Sequence, residues 1–149
     1  MTEQQGWRSC RKCRAICFSG LQGVCAASGT HDFEGSGWFG LSVAPPDGAD
    51  SQPGWRWCAK CQVLHHPGLG AGPCPAGGVH ETANSGTYHL AYQPYAAGGQ
   101  AGWRYCTRCH VLHNPEAGPG VCVTGGVHAV ETSLPYSLLL GSEPRVNRA

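Results

Sequence analysis

Aromatic and apolar side chains take every second position in three segments of the chain, which are Phe39–Val43, Tyr88–Tyr92 and Tyr136–Leu140. A period of two is typical of a β-strand that buries one of its faces. The segment Gln62–His66 alternates in the same way, as does the Trp-Arg-x-Cys segment before each pair of closely spaced cysteines. The pattern predicts short strands and an all-β fold.

These strands belong to an internal repeat with a period of 48 residues. Gly-Trp-Arg begins each copy, at Gly6, Gly54 and Gly102. The copies are residues 6–53, 54–101 and 102–149. A further strand predicted between Pro73 and His80 brings each copy to about four strands. We interpret residues 1–149 as a single domain made of three equivalent repeats.

The size of one copy restricts the architecture. Forty-eight residues lie near the limit at which a hydrophobic core alone sustains a fold, so each copy needs a metal or its neighbours. Three zinc-ribbon-like beads in tandem are one arrangement, with the Pro- and Gly-rich segments 44–53 and 93–101 as linkers. The other closes the copies around a pseudo-threefold axis. Because the copies are equal in length and none resembles an atypical cap, we favour closure.

Each repeat also carries the same set of potential metal ligands. Two cysteines are spaced C-x2-C, a third follows twelve or thirteen residues after the second, and a histidine stands six residues beyond it. The sets are Cys10, Cys13, Cys25 and His31; Cys58, Cys61, Cys74 and His80; and Cys106, Cys109, Cys122 and His128. Cys3His is a common ligand set of structural zinc sites. The sequence therefore predicts three zinc ions per chain.

Disulfides and iron are the alternatives to zinc. Three cysteines per repeat cannot pair within one copy, and a disulfide framework gives no reason for a histidine at a fixed spacing. We therefore rank zinc first, iron second and disulfides last. Because the protein supplies all four ligands, no coordination position is left to activate water. We expect a structural role for the metal and no enzymatic activity.

The motif and the repeat plan each carry a resemblance. The pattern W-R-x-C-x-x-C…C…G-G-x-H resembles uncharacterised tandem zinc-knuckle repeats of bacterial proteins, and the knuckles themselves look like zinc ribbons. Three copies of about four strands resemble the β-trefoil plan over residues 6–149. The Q-x-W motif common among trefoil lectins does not recur from repeat to repeat; it occurs once, at Gln5-Gly6-Trp7. The resemblance implies a trefoil-like all-β fold and does not name a ligand.

Charge and hydropathy exclude some partners. The formal net charge is +1 and the ten basic residues are scattered along the chain. The sequence therefore lacks the cluster of basic residues that nucleic-acid binding needs. No apolar stretch reaches the length of a membrane span. The polar start Met-Thr-Glu-Gln-Gln is unlike a signal peptide. We expect synthesis in the cytoplasm, with export by a route without a cleaved signal left open.

The Trp-Arg pairs are the candidate ligand-binding residues, and two interpretations stand. The pairs are Trp7 and Arg8, Trp55 and Arg56, and Trp103 and Arg104. In the first interpretation the tryptophans belong to the core and the arginines cover the knuckles. In the second, three equivalent pockets place an aromatic ring against the flat face of a sugar. Tryptophan and arginine alone do not decide between them.

Three classes of function follow. The first is a non-catalytic binding module for carbohydrate or a cell surface. The second is a zinc-ribbon adaptor for a protein partner, and the third is a structural subunit that assembles with copies of itself. The extra cysteine, Cys17, stands where the other repeats have His65 and His113. We interpret it as a small buried or half-exposed residue, with a reactive thiol or a crosslink as the alternative. The two histidines are interpreted as surface groups or neighbours of the ligands, with a second metal site as the alternative.

Overall fold

The computed structural model describes residues 3–19, 23–43, 51–69, 73–82, 85–92, 100–115, 120–130, 133 and 136–141. In this part of the chain the regular structure is β, apart from one 3-10 turn at Pro67–Leu69. The strands are β1 (Glu3–Ser9), β2 (Ile16–Phe18), β3 (Phe39–Ser42), β4 (Ser51–Trp57), β5 (Leu64–His65), β6 (Tyr88–Tyr92), β7 (Gln100–Tyr105), β8 (Leu112–His113) and β9 (Tyr136–Leu140). The all-β prediction is confirmed.

The first strand of each repeat begins a few residues before Gly-Trp-Arg, so the repeats of the structure are β1–β3, β4–β6 and β7–β9, and each uses its three strands in the same way. Its first strand pairs antiparallel with the short strand after the knuckle and with the last strand of the repeat. The pairing between first and last strands shifts register beside the glycine of Gly-Trp-Arg. Gly6, Gly54 and Gly102 have φ values of 99°, 95° and 94°. Glycine adopts this backbone without steric cost, and the resulting bulge bends the strand.

The last strands of the three repeats close the sheet. The end of β3 pairs with β6 through Ser42 and His89, and the end of β6 pairs with the start of β9 through Tyr92 and Tyr136. The end of β9 then pairs with the start of β3, where Leu140 lies opposite Phe39. The repeats therefore share one nearly closed sheet, and they are not independent beads.

A second set of contacts joins the repeats at the knuckle end. Isolated bridges link Cys17 to Val63, His65 to Val111, and Ala15 to His113. Each bridge connects one repeat with another, and the same two repeat positions are used every time. At both ends of the sheet the third repeat therefore pairs with the first, which closes the ring of repeats.

Two apolar clusters fill the interior. One contains the large side chains, including Trp7, Trp55, Trp103 and Tyr136, each at most 1% exposed. The other contains all ten cysteines with small aliphatic residues such as Val63 and Val111. Alternation along β2, β5 and β8 separates the clusters, because Ile16, Leu64 and Leu112 face the first and their neighbours face the second.

Several sequence expectations need adjustment. The strand predicted between Pro73 and His80 is reduced to a single bridge from Pro73 to Val79, because the backbone there turns back on itself around Cys74. The described residues therefore give three strands per repeat. Of the predicted linkers, residues 51–53 and 100–101 lie in β4 and β7, and residues 44–50 and 93–99 lie outside the described part. No helix among the described residues is long and apolar enough to cross a membrane.

Candidate metal centres

Each predicted ligand set is gathered into one buried cluster. Within a set, the three Sγ atoms and the nearest histidine nitrogen all lie within 4.8 Å of one another. The C-x2-C turn delivers two sulfurs, and the third cysteine and the histidine come from the loop that follows. All three sets predicted from the sequence are brought together, and they are the three clusters of potential metal ligands among the described residues.

The distances within each cluster fit a tetrahedral zinc ion. The first and third cysteines of every set have their Sγ atoms 3.8 Å apart. The second cysteine lies 3.6, 3.4 and 3.5 Å from Nδ1 of His31, His80 and His128. Bond lengths of about 2.3 Å to sulfur and about 2.0 Å to nitrogen give tetrahedral edges of about 3.8 and about 3.5 Å. The geometry is consistent with three zinc ions per chain.

The same distances exclude disulfides in this conformation. A disulfide needs two sulfurs about 2.05 Å apart, and all ten cysteines are free. Hydrogen bonds from Cys61 lower the pKa of Cys58 to about 2 and that of Cys74 to about 7. Thiolate is the form that binds zinc. The same hydrogen bonds raise the pKa of Cys61, so zinc binding would release the proton of the Cys61 thiol.

Backbone amides stabilise the thiolates. The N–H groups of Cys61 and Glu81 point to Sγ of Cys58 at 3.5 and 3.3 Å, and that of Ala76 points to Cys74 at 3.4 Å. Equivalent bonds surround the first and third sites. Hydrogen bonds to the charged form favour it. The fold therefore offsets part of the negative charge of the sulfurs.

The basic residues inside the knuckles fasten the loop that carries the histidine. Lys12 Nζ donates to the carbonyl of Ser28 at 2.8 Å, and Lys60 Nζ donates to that of Gly77 at 2.6 Å. Arg108 donates to the carbonyl of Val127. Each of these side chains thus brings a positive charge to the knuckle and a direct hydrogen bond that joins the two ligand-bearing segments.

The outer nitrogen of each ligand histidine reaches into the next repeat. Nε2 of His31 lies 2.7 Å from the carbonyl oxygen of Cys61, and Nε2 of His80 lies 3.2 Å from that of Cys109. Since Nδ1 faces the sulfurs, Nε2 carries the proton and donates. Such a bond fixes the orientation and tautomer of a ligand histidine. Each metal centre is therefore tied to the knuckle of a neighbouring centre.

His65 and His113 pack directly on the ligand histidines. Their rings lie 4.5 Å from His80 and 4.3 Å from His128, and both are fully buried. Burial lowers the pKa of His65 to about 3 and that of His113 to about 4, so both rings are neutral. Of the two expected positions, on the surface or beside the ligands, these histidines therefore occupy the second. Cys17 at the equivalent position is also fully buried, as expected.

The structure places the tryptophans of the Trp-Arg pairs in the core, as the first interpretation expected. Trp7, Trp55 and Trp103 are 0%, 0% and 1% exposed, because their rings pack in the central cluster and leave no open face for a sugar to stack on. Arg8, Arg56 and Arg104 donate to the backbone carbonyls of Ser36, Ser85 and Ser133 at 2.9, 3.4 and 3.1 Å. The pairs join the first strand of each repeat to the turn before its last strand.

Three glutamines that sequence reasoning missed stand beside these tryptophans. Gln4, Gln52 and Gln100 share the 48-residue period, and the Oε1 atom of each accepts a hydrogen bond from the indole Nε1 of its repeat at 2.8–3.0 Å. Tyr88 and Tyr136, each from a following repeat, donate their hydroxyls to Gln4 and Gln52 at 2.6 and 2.7 Å. The 48-residue spacing of the three glutamines was the signal in the sequence that could have identified them.

Among the described residues, two clefts of similar construction lie where neighbouring repeats meet. The first cleft lies between the first and second repeats, has a volume of about 390 Å³ and is lined by Gln4, Trp7, Phe18, Trp57 and Tyr88. The second cleft lies between the third and first repeats and has a volume of about 220 Å³. Its equivalent residues are Gln100, Trp103, Asn114, Ser9 and Phe39. The repeat thus builds the same concavity twice, with different walls.

Comparisons of the chain with protein-family models, with curated proteins and with solved structures find no match. The function is therefore inferred from the residues of the clefts and metal centres.

Proposed function

We propose that the protein is a non-catalytic, zinc-stabilised binding module that takes carbohydrate into a cleft between its repeats. One observation carries this proposal. The first cleft combines a partly exposed indole, Trp57, with the amide of Gln4, which the fold holds in one orientation. Aromatic surface beside a few fixed polar groups is characteristic of small-ligand sites.

The metal centres support a structural role for zinc. Every set supplies four protein ligands, so a tetrahedral ion is fully coordinated. When bound, zinc would fasten the knuckle to the loop after it and hold the repeat in shape. This arrangement supports a non-catalytic function. The cyclic pairing of the last strands also supports the β-trefoil-like plan suggested by the repeat, as part of the same proposal.

The walls of the first cleft support a flat, neutral ligand. Trp57 is partly exposed, and its indole Nε1 donates to Oε1 of Gln62 at 2.8 Å. Gln62 in turn donates to the carbonyl of Ala59 at 3.0 Å, so the ring is held from one edge. Phe18 packs edge-on against Trp7, with centroids 5.7 Å apart. The described residues that line this cleft carry no charged side chain, which favours an uncharged sugar over an acidic one.

The second cleft differs in chemistry. Ser9 replaces the indole of Trp57, and Asn114 replaces Phe18. Arg11, Arg14 and Glu34 line the rest of it. A pyranose ring would find no equivalent stacking surface here. We therefore assign sugar binding to the first cleft, with glycans of a cell surface among the targets.

A glycan and polysaccharide array tests the proposal. The zinc-loaded protein is expected to bind a restricted group of neutral glycans, and Trp57→Ser is expected to weaken that binding at least about tenfold. Serine is the residue that the first repeat has at this position, so the fold tolerates it. Trp38→Thr is the matched control, because Trp38 lies outside the first cleft and the second repeat has Thr87 there. An array without binding, or equal loss in both variants, contradicts the proposal.

A further inference from the structure

The amide of Gln4 has a fixed orientation. Its Oε1 atom lies 3.0 Å from Trp7 Nε1 and 2.6 Å from the hydroxyl oxygen of Tyr88. An indole N–H can only donate, so the atom facing it must be the amide oxygen. The two N–H bonds of Nε2 are then left over, and no hydrogen bond of the described residues uses them. Because Gln4 is exposed and lines the first cleft, this group is available to a ligand.

We propose that the Gln4 amide is the hydrogen-bond donor that recognises the sugar in the first cleft, and that the cleft selects a sugar bearing an acetamido group. This inference rests on the proposed function and assigns its specificity. A side chain fixed by its own fold loses little entropy when a ligand binds, which strengthens each bond to the ligand. Gln4 is therefore suited to donate a hydrogen bond to one acceptor oxygen of the sugar.

The apolar part of the cleft supports the acetamido group as the acceptor. Val43 lines the cleft and is 47% exposed, one of the few large apolar side chains that the described surface leaves so open. An acetamido group carries a carbonyl oxygen that can accept from Gln4 and a methyl group that can cover Val43. A hydroxyl at the same carbon supplies an acceptor and leaves the valine exposed. Covering one methyl group contributes about 0.8 kcal/mol, a factor of about four in affinity.

Calorimetric titration with two hexasaccharides tests the inference. Chitohexaose and cellohexaose share their β-1,4 linkages and differ in the acetamido group. The wild-type protein is expected to bind chitohexaose at least about fivefold more tightly than cellohexaose. Gln4→Glu keeps an acceptor for Trp7 and Tyr88 and removes the donor. It is expected to lower the affinity for chitohexaose about tenfold, the effect of one hydrogen bond to a fixed group.

Controls separate this inference from the function on which it rests. Gln100→Glu makes the same change in the second cleft, and it is expected to leave chitohexaose binding unchanged. Zinc content and melting temperature show that each variant is folded. Binding that is lost in Trp57→Ser and kept in Gln4→Glu overturns the role of Gln4 alone. Equal affinity for both hexasaccharides overturns the acetamido assignment, and absence of all glycan binding contradicts the proposed function itself.

Discussion

Nε2 of His128, in the third repeat, lies 2.9 Å from the backbone carbonyl oxygen of Cys13 in the first repeat, 115 residues earlier in the chain. The equivalent bonds run from His31 to Cys61 and from His80 to Cys109. The three bonds form a ring in which each metal centre orients its histidine with the knuckle of a neighbouring centre. The metal centres and the closure of the fold are therefore linked physically.

This ring predicts cooperative loss of metal. When one zinc leaves, its knuckle relaxes, and the neighbouring histidine loses the carbonyl that orients it; removal of such a partner typically weakens metal binding 10–100-fold. Titration with a chelator is expected to release the three ions in one transition, accompanied by loss of β-structure in circular dichroism. Three separate release steps with the fold intact after the first would contradict this coupling.

The ligand assignment has a direct test in the second repeat. Changing Cys58 and Cys61 to serine removes two thiolates from one cluster, so the bound zinc is expected to fall from three ions to two per chain, and the unfolding midpoint is expected to fall strongly. Elemental analysis of the purified variant measures the first effect, and thermal denaturation measures the second. Cys17→Ser is the control, because Cys17 belongs to none of the three clusters. A variant that retains three zinc ions would show that the assignment is wrong.

The sequence predicted the metal centres better than the binding surface, for a physical reason. Metal ligation restricts residue type and spacing together, so Cys58, Cys61, Cys74 and His80 stand out in a single chain. Burial of Trp55 depends on which repeats become neighbours, and only the folded sheet determines that. The prediction of a fourth strand was wrong, because the residue pattern near Pro73 is also compatible with a turn around a metal ligand.

The cross-repeat contacts were the least predictable part of the fold. Tyr136 and Gln52 lie 84 residues apart and meet through a hydroxyl bond of 2.7 Å. No local pattern connects an aromatic residue in one copy with a glutamine in another. The equal spacing of Gln4, Gln52 and Gln100 was visible, yet glutamine has no chemistry of its own that points to a site. Only in the folded structure do the neighbouring Trp and Tyr side chains fix the orientation of the glutamine amide.

The hydroxyl of Tyr136 is expected to stabilise the contact between the second and third repeats. Tyr136 is 1% exposed and donates to Gln52, so Tyr136→Phe removes a buried hydrogen bond and is expected to reduce the free energy of unfolding by about 1 kcal/mol. Phenylalanine fits the site, since Phe39 is its counterpart in the first repeat. Chemical denaturation measures the change. Tyr92→Phe, whose ring stacks on Tyr136 with 5.5 Å between centroids, is the control and is expected to have a smaller effect.

A glycine at the repeat interface is expected to be irreplaceable. A Cβ atom on Gly23 would lie 2.6 Å from the carbonyl oxygen of Cys61, the same oxygen that accepts the bond from His31. The φ value of Gly23 is also positive, at 65°. Gly23→Ala therefore combines backbone strain with a clash against a backbone atom of the neighbouring knuckle. It is expected to lower the free energy of unfolding by more than about 2 kcal/mol.

The matched control for this variant is Gly77→Ser. Gly77 has a φ value of 104°, and an added Cβ would meet nothing within 4 Å. The first repeat already carries Ser28 at this position, with a φ value of 93°. Only backbone strain remains, so the expected cost is about 1 kcal/mol. Denaturant unfolding of both zinc-loaded variants compares the two costs. Equal destabilisation of the two variants would show that backbone strain alone accounts for the effect at Gly23, and that the contact of the added Cβ with the Cys61 carbonyl costs nothing.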